Sequence, residues 1–444
     1  MSVETRPVSR EQQTPGALRI LVVLALANFM NFYDRTVPAI VIEPIKDEFG
    51  LSDLQIGILS GAFTVVYAVA GIVLGRMADR GSRRKVMALG LVVWSLFTAA
   101  SGGAWSFASL LLFRVGVGIG EASYAPAANA LIFDAFPARR RSRAVAVFQL
   151  GIPVGLLAAF VSVGWLVEAT GSWRVPFLVA AVPGLVLALV MLTLPEPRTS
   201  EADGVVAAEV PPAFRRPIRT LLRIPTLRWL ILAGVGIQVP TYAVATFLVP
   251  LLQRYFGLGI GPASLSAGLI LGVTGIFGLV IGGIAADRAS RRSLRARLTV
   301  GAAGLAAAAP LTLAALSMPH TAAMAFVALF AAGWFFQYFF GTAALPAIAD
   351  VVPRDLRATA VAVYFAAFYL LGGAFGPVIA GSLSDVFASR AIDAAVSAEA
   401  TGLHTAMLFV VPAFLLLGAL AAWGASLKVG SDHARLAAGQ AVAP

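Results

Sequence analysis

One short basic stretch decides the fold, because the chain contains it twice. It reads Gly75-Arg-Met-Ala-Asp79-Arg80-Gly-Ser82-Arg83-Arg84 and returns 208 residues later as Gly283-Ile-Ala-Ala-Asp287-Arg288-Ala-Ser290-Arg291-Arg292. A second matching pair, Asp134-Ala-Phe-Pro137 and Asp350-Val-Val-Pro353, is spaced by 216 residues. Two ordered matches at nearly the same spacing indicate an internal duplication with two similar halves.

The composition places this duplicated chain in a membrane. Of its 444 residues 59% are hydrophobic and only 12% are charged, whereas soluble proteins carry about 25% charged residues. This excludes a large soluble enzyme, and the high hydrophobicity excludes a disordered chain. The sequence has no cysteine and three histidines, too few for a thiolate site or a zinc cluster. We therefore expect no metal and no cofactor.

Apolar segments long enough to cross a bilayer occur twelve times, and about 20 apolar residues suffice for one crossing. This predicts an all-α membrane protein with twelve transmembrane helices in two six-helix halves. The predicted organisation is a tail (1–17), a helical bundle (18–194), a linker (195–226), a second bundle (227–426) and a tail (427–444). Within the linker, residues 214–229 alternate apolar and basic residues at the spacing of an interfacial helix. The spans are Leu18–Ile42, Leu54–Met77, Val86–Ala104, Phe107–Ala135, Ala144–Ala169, Val175–Leu194, Leu227–Leu252, Ala263–Ala286, Leu298–Leu316, Ala322–Val351, Ala358–Val386 and His404–Ser426.

The basic residues predict the orientation. The net charge of +11 could suggest a nucleic acid partner, but the 33 Lys and Arg residues are distributed unequally between the loops of the two membrane faces. If both termini are cytoplasmic, 27 of them lie in cytoplasmic segments and four lie outside, namely Lys46, Arg174, Arg254 and Arg390. This is the distribution that the positive-inside rule describes. We expect a multi-pass protein of the cell (inner) membrane, monomeric, in contact with the lipid bilayer and not with nucleic acid.

Two six-helix halves with G-x-x-x-D-R-x-x-R-R in both second-to-third-helix loops resemble the major facilitator superfamily. Ser82 and Ser290 stand where the usual loop motif has a second glycine. Within the superfamily, Asn31-Phe-Tyr33-Asp34-Arg35-Thr36-Val37 in the first span is similar to a stretch of the spinster (sphingolipid-transporter-like) family. Organic-anion symporters related to hexuronate and phthalate carriers share the Asp-Arg dipeptide.

The resemblance implies a latch on the cytoplasmic side. Asp79 is expected to dock against the helix start at Arg354–Ala358, and Asp287 against Ser142–Ala144, because exposed helix N–H groups and the helix dipole favour an anion. We expect Asp79→Asn to weaken this closure. The alternative is that the cations of these loops act only as topology anchors. The predicted gate comprises Asp79, Arg80, Arg83, Arg84, Arg143, Asp287, Arg288 and Arg291.

Four charged residues lie well inside spans, and each needs a partner or a watery cavity because burying a charge in a span costs about 2.5–3.5 kcal/mol. They are Asp34, Arg35, Arg114 and Glu121. In the superfamily the first and fourth helices flank the central cavity, so an Asp34–Arg114 or a Glu121–Arg35 contact is expected there. Asp34 and Glu121 are the candidate proton carriers. The alternatives are a static ion-pair cluster or a role in substrate binding alone.

The second half has no charge in the middle of its corresponding spans and offers aromatic and amide side chains instead. A cavity with one charged and one aromatic wall suits an amphiphile. We therefore expect a proton-linked secondary active transporter for an amphiphilic or lysolipid-like anion; the alternatives are a proton symporter for small carboxylates and an uncoupled facilitator. No Walker motif and no nucleophile–base pair is present, which argues against an ATP-driven pump and an enzyme. The predicted substrate-binding residues are Asn31, Tyr33, Arg35, Arg114, Gln238, Tyr242, Trp334, Gln337, Tyr338, Tyr364 and Phe368.

Overall fold

The fold was analysed in a computed structural model that describes residues 16–195, 217–391 and 396–438. All regular structure in these ranges is helical. The first half contains α1 (Ala17–Ile40), α2 (Ile42–Phe49), α3 (Asp53–Arg80), α4 (Arg83–Gly102), α5 (Phe107–Ala122), α6 (Tyr124–Ala135), α7 (Ala138–Thr170) and α8 (Val175–Leu192). The second contains α9 (Pro217–Leu221), α10 (Pro225–Arg254), α11 (Ile260–Gly268), α12 (Thr274–Ser290), α13 (Leu294–Leu316), α14 (Ala323–Val351), α15 (Arg357–Ala367), α16 (Phe375–Ala388) and α17 (Ala398–Ala437).

Eleven helical stretches in the described residues are long and apolar enough to cross a membrane. The predicted fourth span supplies the twelfth crossing in two pieces, because α5 and α6 meet at Ser123. Two other spans contain a π-helical turn, at Leu269–Val273 between α11 and α12 and at Phe368–Gly373 between α15 and α16. With an even number of crossings, the start of α1 and the end of α17 lie on one face of the bundle, termed the terminal face; the opposite one is the far face.

Two helix ends differ from the boundaries expected from the sequence. The basic helix expected over 214–229 is interrupted, since α9 ends at Leu221 and α10 begins at Pro225; residues 214–216 lie outside the described part. Proline favours the first turn of a helix, where its missing N–H costs nothing, and it therefore starts a new helix here. The last helix does not end near Ser426 but continues to Ala437, and buried Asp432 accepts hydrogen bonds from the backbone N–H (2.9 Å) and hydroxyl (2.7 Å) of Thr226.

The two halves meet mainly through two helix pairs near the far face. α3 packs along α16 and the adjacent π turn, and α7 packs along α11 and its π turn. Gly57 and Gly61 permit this close approach, because a Cβ atom at either position would overlap a backbone carbonyl of α16 or of the residue before it. By contrast, α15 packs on α10 and α14, and α12 on α13 and α14, within their own half. The described halves therefore separate toward the terminal face.

Candidate functional site

A cavity of about 270 Å³ lies between the two halves. From the first half, α1, α3 and α5 contribute two guanidinium groups together with aromatic and hydroxyl side chains. From the second half, α10 contributes mostly uncharged polar groups. The residues that define its character are Phe32, Arg35, Phe63, Thr64 and Arg114 on one side and Thr241, Tyr242 and Thr246 on the other.

Arg35 is held by one carboxylate and three aromatic rings. Its Nε donates a hydrogen bond of 2.6 Å to Oε2 of Glu121, whose side chain is fully buried. The guanidinium carbon lies 4.2 Å from the ring centroid of Tyr67 and 5.2 Å from those of Phe32 and Phe63. Cation–π contacts of this kind strengthen when the cation is desolvated. Of the two contacts expected between the first and fourth spans, this structure contains the Arg35–Glu121 pair.

Arg114 lines the same cavity but forms no ion pair with a described residue. Its guanidinium carbon lies 5.2 Å from the ring centroid of Phe63, and its buried Nη1 has no hydrogen-bond partner among the described residues. The negative charges of Glu121 and Asp34 both act on it electrostatically. A guanidinium with unused donors at a cavity wall is suited to bind a carboxylate or phosphate through two parallel hydrogen bonds.

Asp34 lies behind the cations rather than on the cavity wall. It is completely buried, and neither carboxylate oxygen has a hydrogen-bond partner in the described part of the chain. The indole of Trp94 lies beside it without completing a hydrogen bond. A buried carboxylate without donors is costly when charged and far less so when protonated. Asp34 is therefore the group in this cluster whose charge is least stabilised by direct contacts.

Local helix geometry produces this arrangement. Asp34 and Arg35 are neighbours in α1, so their side chains leave the helix about 100° apart and meet different surroundings. Arg114 and Glu121 are seven residues apart in α5 and share one face. The helix breaks at Ser123, directly after this segment, and the Ser123 hydroxyl donates 2.8 Å back to the carbonyl of Gly120.

A second cavity of about 200 Å³ lies within the second half and is lined largely by apolar and aromatic groups. Thr241 lines both cavities. The Tyr338 hydroxyl donates 3.1 Å to the carbonyl of Leu271 in the π turn, and the other π turn supplies Phe368. π-helical turns occur frequently at functional sites. The predicted residues found here are Gln238, Gln337, Tyr338, Tyr364 and Phe368.

Three predicted substrate-binding residues do not line either cavity. The Tyr33 hydroxyl shares a 2.8 Å hydrogen bond with Ser162 of α7, and Trp334 is fully buried with its ring 5.5 Å from that of Phe330. Asn31 is buried beside Glu121. Conversely, the sequence analysis missed Phe63 and Tyr67, whose spacing of four residues places both rings on the same face of α3. Two aromatic residues four positions apart in a helix that flanks the cavity would have indicated both of them.

The predicted cytoplasmic gate is only partly described. The side chains of Asp79, Arg80, Ser142 and Arg354 lie outside the described part, so the expected latch at Asp79 stays a prediction. Arg83 forms an ion pair with Asp134, and Arg84 donates 2.9 Å to the carbonyl of Leu194, both within the first half. The second half has a comparable internal pair, Arg297–Asp350, at 2.7 Å. The remaining gate residues, Arg143, Asp287, Arg288 and Arg291, are exposed.

Removing one partner of the Arg35–Glu121 pair should destabilise the protein strongly. We expect Glu121→Leu to lower the free energy of unfolding by about 3–5 kcal/mol, because an uncompensated guanidinium stays buried. The double variant Arg35→Met/Glu121→Leu should recover most of this loss. The measurement is the thermal midpoint of purified protein in detergent, with Arg83→Ala as a control at a more exposed pair, where about 0–1 kcal/mol is expected. A double variant as unstable as the single one would contradict the pairing.

A duplicated bundle of spanning helices with a charged cavity between its halves defines a membrane transporter that exposes one site alternately to two faces. Comparison with known proteins agrees: the family model described as Major Facilitator Superfamily matches residues 24–377. The chain belongs to the major facilitator superfamily, and its spinster-like character is supported by its relatives. It is a transporter and not an enzyme, as the sequence predicts.

The relatives fall into a few named groups. The chain is 34% identical over 423 residues to an MFS-type efflux pump of Mycolicibacterium smegmatis, covering 92% of each chain. It is 31% identical to protein spinster homolog 1 of Bos taurus, with 82% of this chain and 72% of the relative covered. It is 27% identical to a hexuronate transporter of Bacillus subtilis, with 83% and 88% covered.

Among solved structures, the chain is similar to a bacterial homologue of the human lysosomal transporter Spinster in an inward-facing, unoccupied conformation. The TM-score is 0.82 at 28% identity, with 95% of this chain and 99% of the other covered.

Proposed function

We propose that the protein is a proton-linked secondary transporter for an amphiphilic, lysolipid-like anion. The observation that carries the proposal is Arg114, a buried guanidinium at the cavity wall with an Nη1 that no described residue satisfies. It supplies a site for an anionic head group. The second cavity, which meets the first at Thr241, supplies apolar surface for a tail. Relatives named as an MFS-type efflux pump and as spinster homologues support a transporter of this class.

The second candidate is symport of a small carboxylate, as the name of the hexuronate transporter suggests for that relative. The guanidinium of Arg114 suits a carboxylate equally well. A sugar acid also needs hydrogen-bonding groups around its hydroxyls, and the first cavity offers Thr64, Thr241 and Thr246 for this purpose. An uncoupled facilitator for either substrate is the third possibility, distinguished by its indifference to a proton gradient.

A chain-length series separates the first two candidates. We expect the affinity for monoalkyl phosphates to rise roughly fourfold per methylene, about 0.8 kcal/mol each, until the apolar cavity is filled. Binding is measured by ligand-induced thermal shift of the purified protein, with glucuronate as the matched hydrophilic acid. Strong stabilisation by glucuronate, together with no dependence on alkyl length, would favour the carboxylate symporter instead.

We further propose that the terminal face is cytoplasmic and that Asp79 and Asp287 close it. The basic loops on that face support the orientation through the positive-inside rule. In this conformation Asp287 is exposed, as expected for a latch that is released when the cavity opens toward the same face. Asp79→Asn should then increase the population open on this face, since a difference of a few kcal/mol is enough to shift such an equilibrium.

A further inference from the structure

On the far face, one carboxylate from each half binds a helix N-terminus of the other half. Asp385, in α16, accepts hydrogen bonds of 3.0 Å each from the backbone N–H groups of Asp53 and Leu54, which open α3. Glu168, near the end of α7, accepts a hydrogen bond of 2.9 Å from the backbone N–H of Gly261, which opens α11. Both contacts pair an anion with the positive end of a helix dipole.

The two contacts are related by the internal duplication. Asp53 and Gly261 are 208 residues apart, the same spacing as the repeated basic stretch. Glu168 and Asp385 are 217 residues apart, one more than the spacing of the second repeat. Each half thus gives one carboxylate and receives one. Such reciprocity identifies the contacts as a feature of the duplicated fold rather than two unrelated surface hydrogen bonds.

The contact at α3 is reinforced by a buried ionic network. Arg254, at the end of α10, binds Glu43 through Nη2 (2.6 Å) and Nε (2.8 Å) and binds both carboxylate oxygens of Asp53 through Nη1 (2.9 and 2.8 Å). Its side chain is only 6% exposed. Ser384 donates 2.6 Å to Asp53, and Lys46 bridges Asp53 (3.0 Å) and Glu399 (2.7 Å). The Glu168 contact is exposed and has no comparable reinforcement in the described residues.

We propose that Asp385 and Glu168 are paired latches that hold the far face closed, with Arg254 securing the first of them. They break when the halves rock apart on that face. The hydrogen-bond partners belong to different halves, so no such contact survives opening, whereas contacts within a half do. Glu48 provides the comparison: it binds Trp173 (2.6 Å) and Arg174, and all three belong to the first half. The proposal does not depend on the identity of the substrate.

The test uses spin-label distances, which the chain makes simple because it has no native cysteine. Ala108→Cys and Met324→Cys place labels at exposed positions at the far ends of the fourth and tenth spans, in different halves. We expect Asp385→Ala and Glu168→Ala each to raise the ratio of far-open to far-closed molecules, by roughly fivefold for the loss of one helix cap. Asp385→Ala should have the larger effect because it removes two hydrogen bonds between the halves, whereas Glu168→Ala removes one. Glu48→Ala, the matched control, should leave the distances unchanged.

A second label pair at Leu192→Cys and Ser431→Cys reports on the terminal face in the same variants. Distances between these labels should shorten as those on the far face lengthen. Such opposite changes show that a folded protein changes its conformational state, since partial unfolding would lengthen both distances. Glu168 is exposed, so its variant tests the idea even if Asp385→Ala folds poorly. Unchanged far-face distances in Glu168→Ala and in any folded Asp385 variant, or equal lengthening in Glu48→Ala, would overturn the proposal.

Discussion

Arg114→Ala is expected to reduce substrate binding by at least about a hundredfold while folded protein still reaches the membrane. The variant removes two charge-assisted hydrogen bonds to the anionic head group, each worth about 1.5–3 kcal/mol. Nη1 of Arg114 makes no hydrogen bond to any described residue, so its loss removes few contacts within the protein. The measurement is the dissociation constant of a long-chain monoalkyl phosphate, determined by equilibrium binding to purified protein.

Two further variants sharpen this test. Arg114→Lys keeps the charge but loses the planar fork and should bind with intermediate affinity. Arg390→Ala removes an exposed cation from the second half and should bind like the wild type. Full-strength binding by Arg114→Ala would show that the anionic group of the substrate is held elsewhere, with Arg35 as the remaining cation of the cavity.

The second large effect is expected for Asp34→Asn, which should abolish accumulation driven by a pH gradient while retaining substrate exchange. Asp34 is fully buried and has no donor among the described residues, so its negative charge depends on Arg114 for compensation. If Arg114 binds the proposed substrate anion, we expect that compensation to weaken and Asp34 to take up a proton. Proton and anion thereby become coupled through one guanidinium.

Uptake into proteoliposomes with an imposed pH gradient measures this coupling. Glu121→Gln is the matched variant, since Glu121 is the other carboxylate of the cluster. Because Glu121 is already paired with Arg35, we expect its variant to lose stability yet keep the response to the gradient in the molecules that remain folded. A wild-type protein that ignores the gradient would be a facilitator. Accumulation by Asp34→Asn equal to that of the wild type would remove Asp34 from the coupling step.

The fold could be predicted from the sequence because long apolar segments indicate membrane spans, and repeated loop motifs indicate a duplication, without any knowledge of tertiary contacts. The break of the fourth span at Ser123 was not predicted, although Pro126 lies in the first turn of α6, where proline is tolerated and a new helix can begin. The Arg35–Glu121 contact was among the expected ones because depth and helical phase are both calculable from residue numbers. Tyr33 does not line either described cavity, because residues adjacent in a helix diverge by about 100° and Tyr33, Asp34 and Arg35 cannot all face one cavity.

The far-face network escaped prediction for a different reason. Lys46 and Arg254 were interpreted only as exceptions to the positive-inside pattern. Arg254 is separated from Asp53 by 201 residues and from Glu43 by 211, so no local pattern connects them. Only the packing of the two halves brings these groups together. The duplication did contain a clue, because residue pairs at the spacing of 208 occupy equivalent places in the two halves.

The proposed coupling of Asp34 and Arg114 also predicts how transport should respond to voltage. Asp34, Arg35, Arg114 and Glu121 carry two negative and two positive charges, which cancel when all are ionised. An empty carrier of this kind moves no net charge of the cluster through the transmembrane field, where each uncompensated charge is worth about 2.3 kcal/mol per 100 mV. One proton on Asp34 and one monovalent anion on Arg114 preserve that neutrality. Transport of such a substrate is then electroneutral, and a dianionic head group makes the same cycle sensitive to the membrane potential.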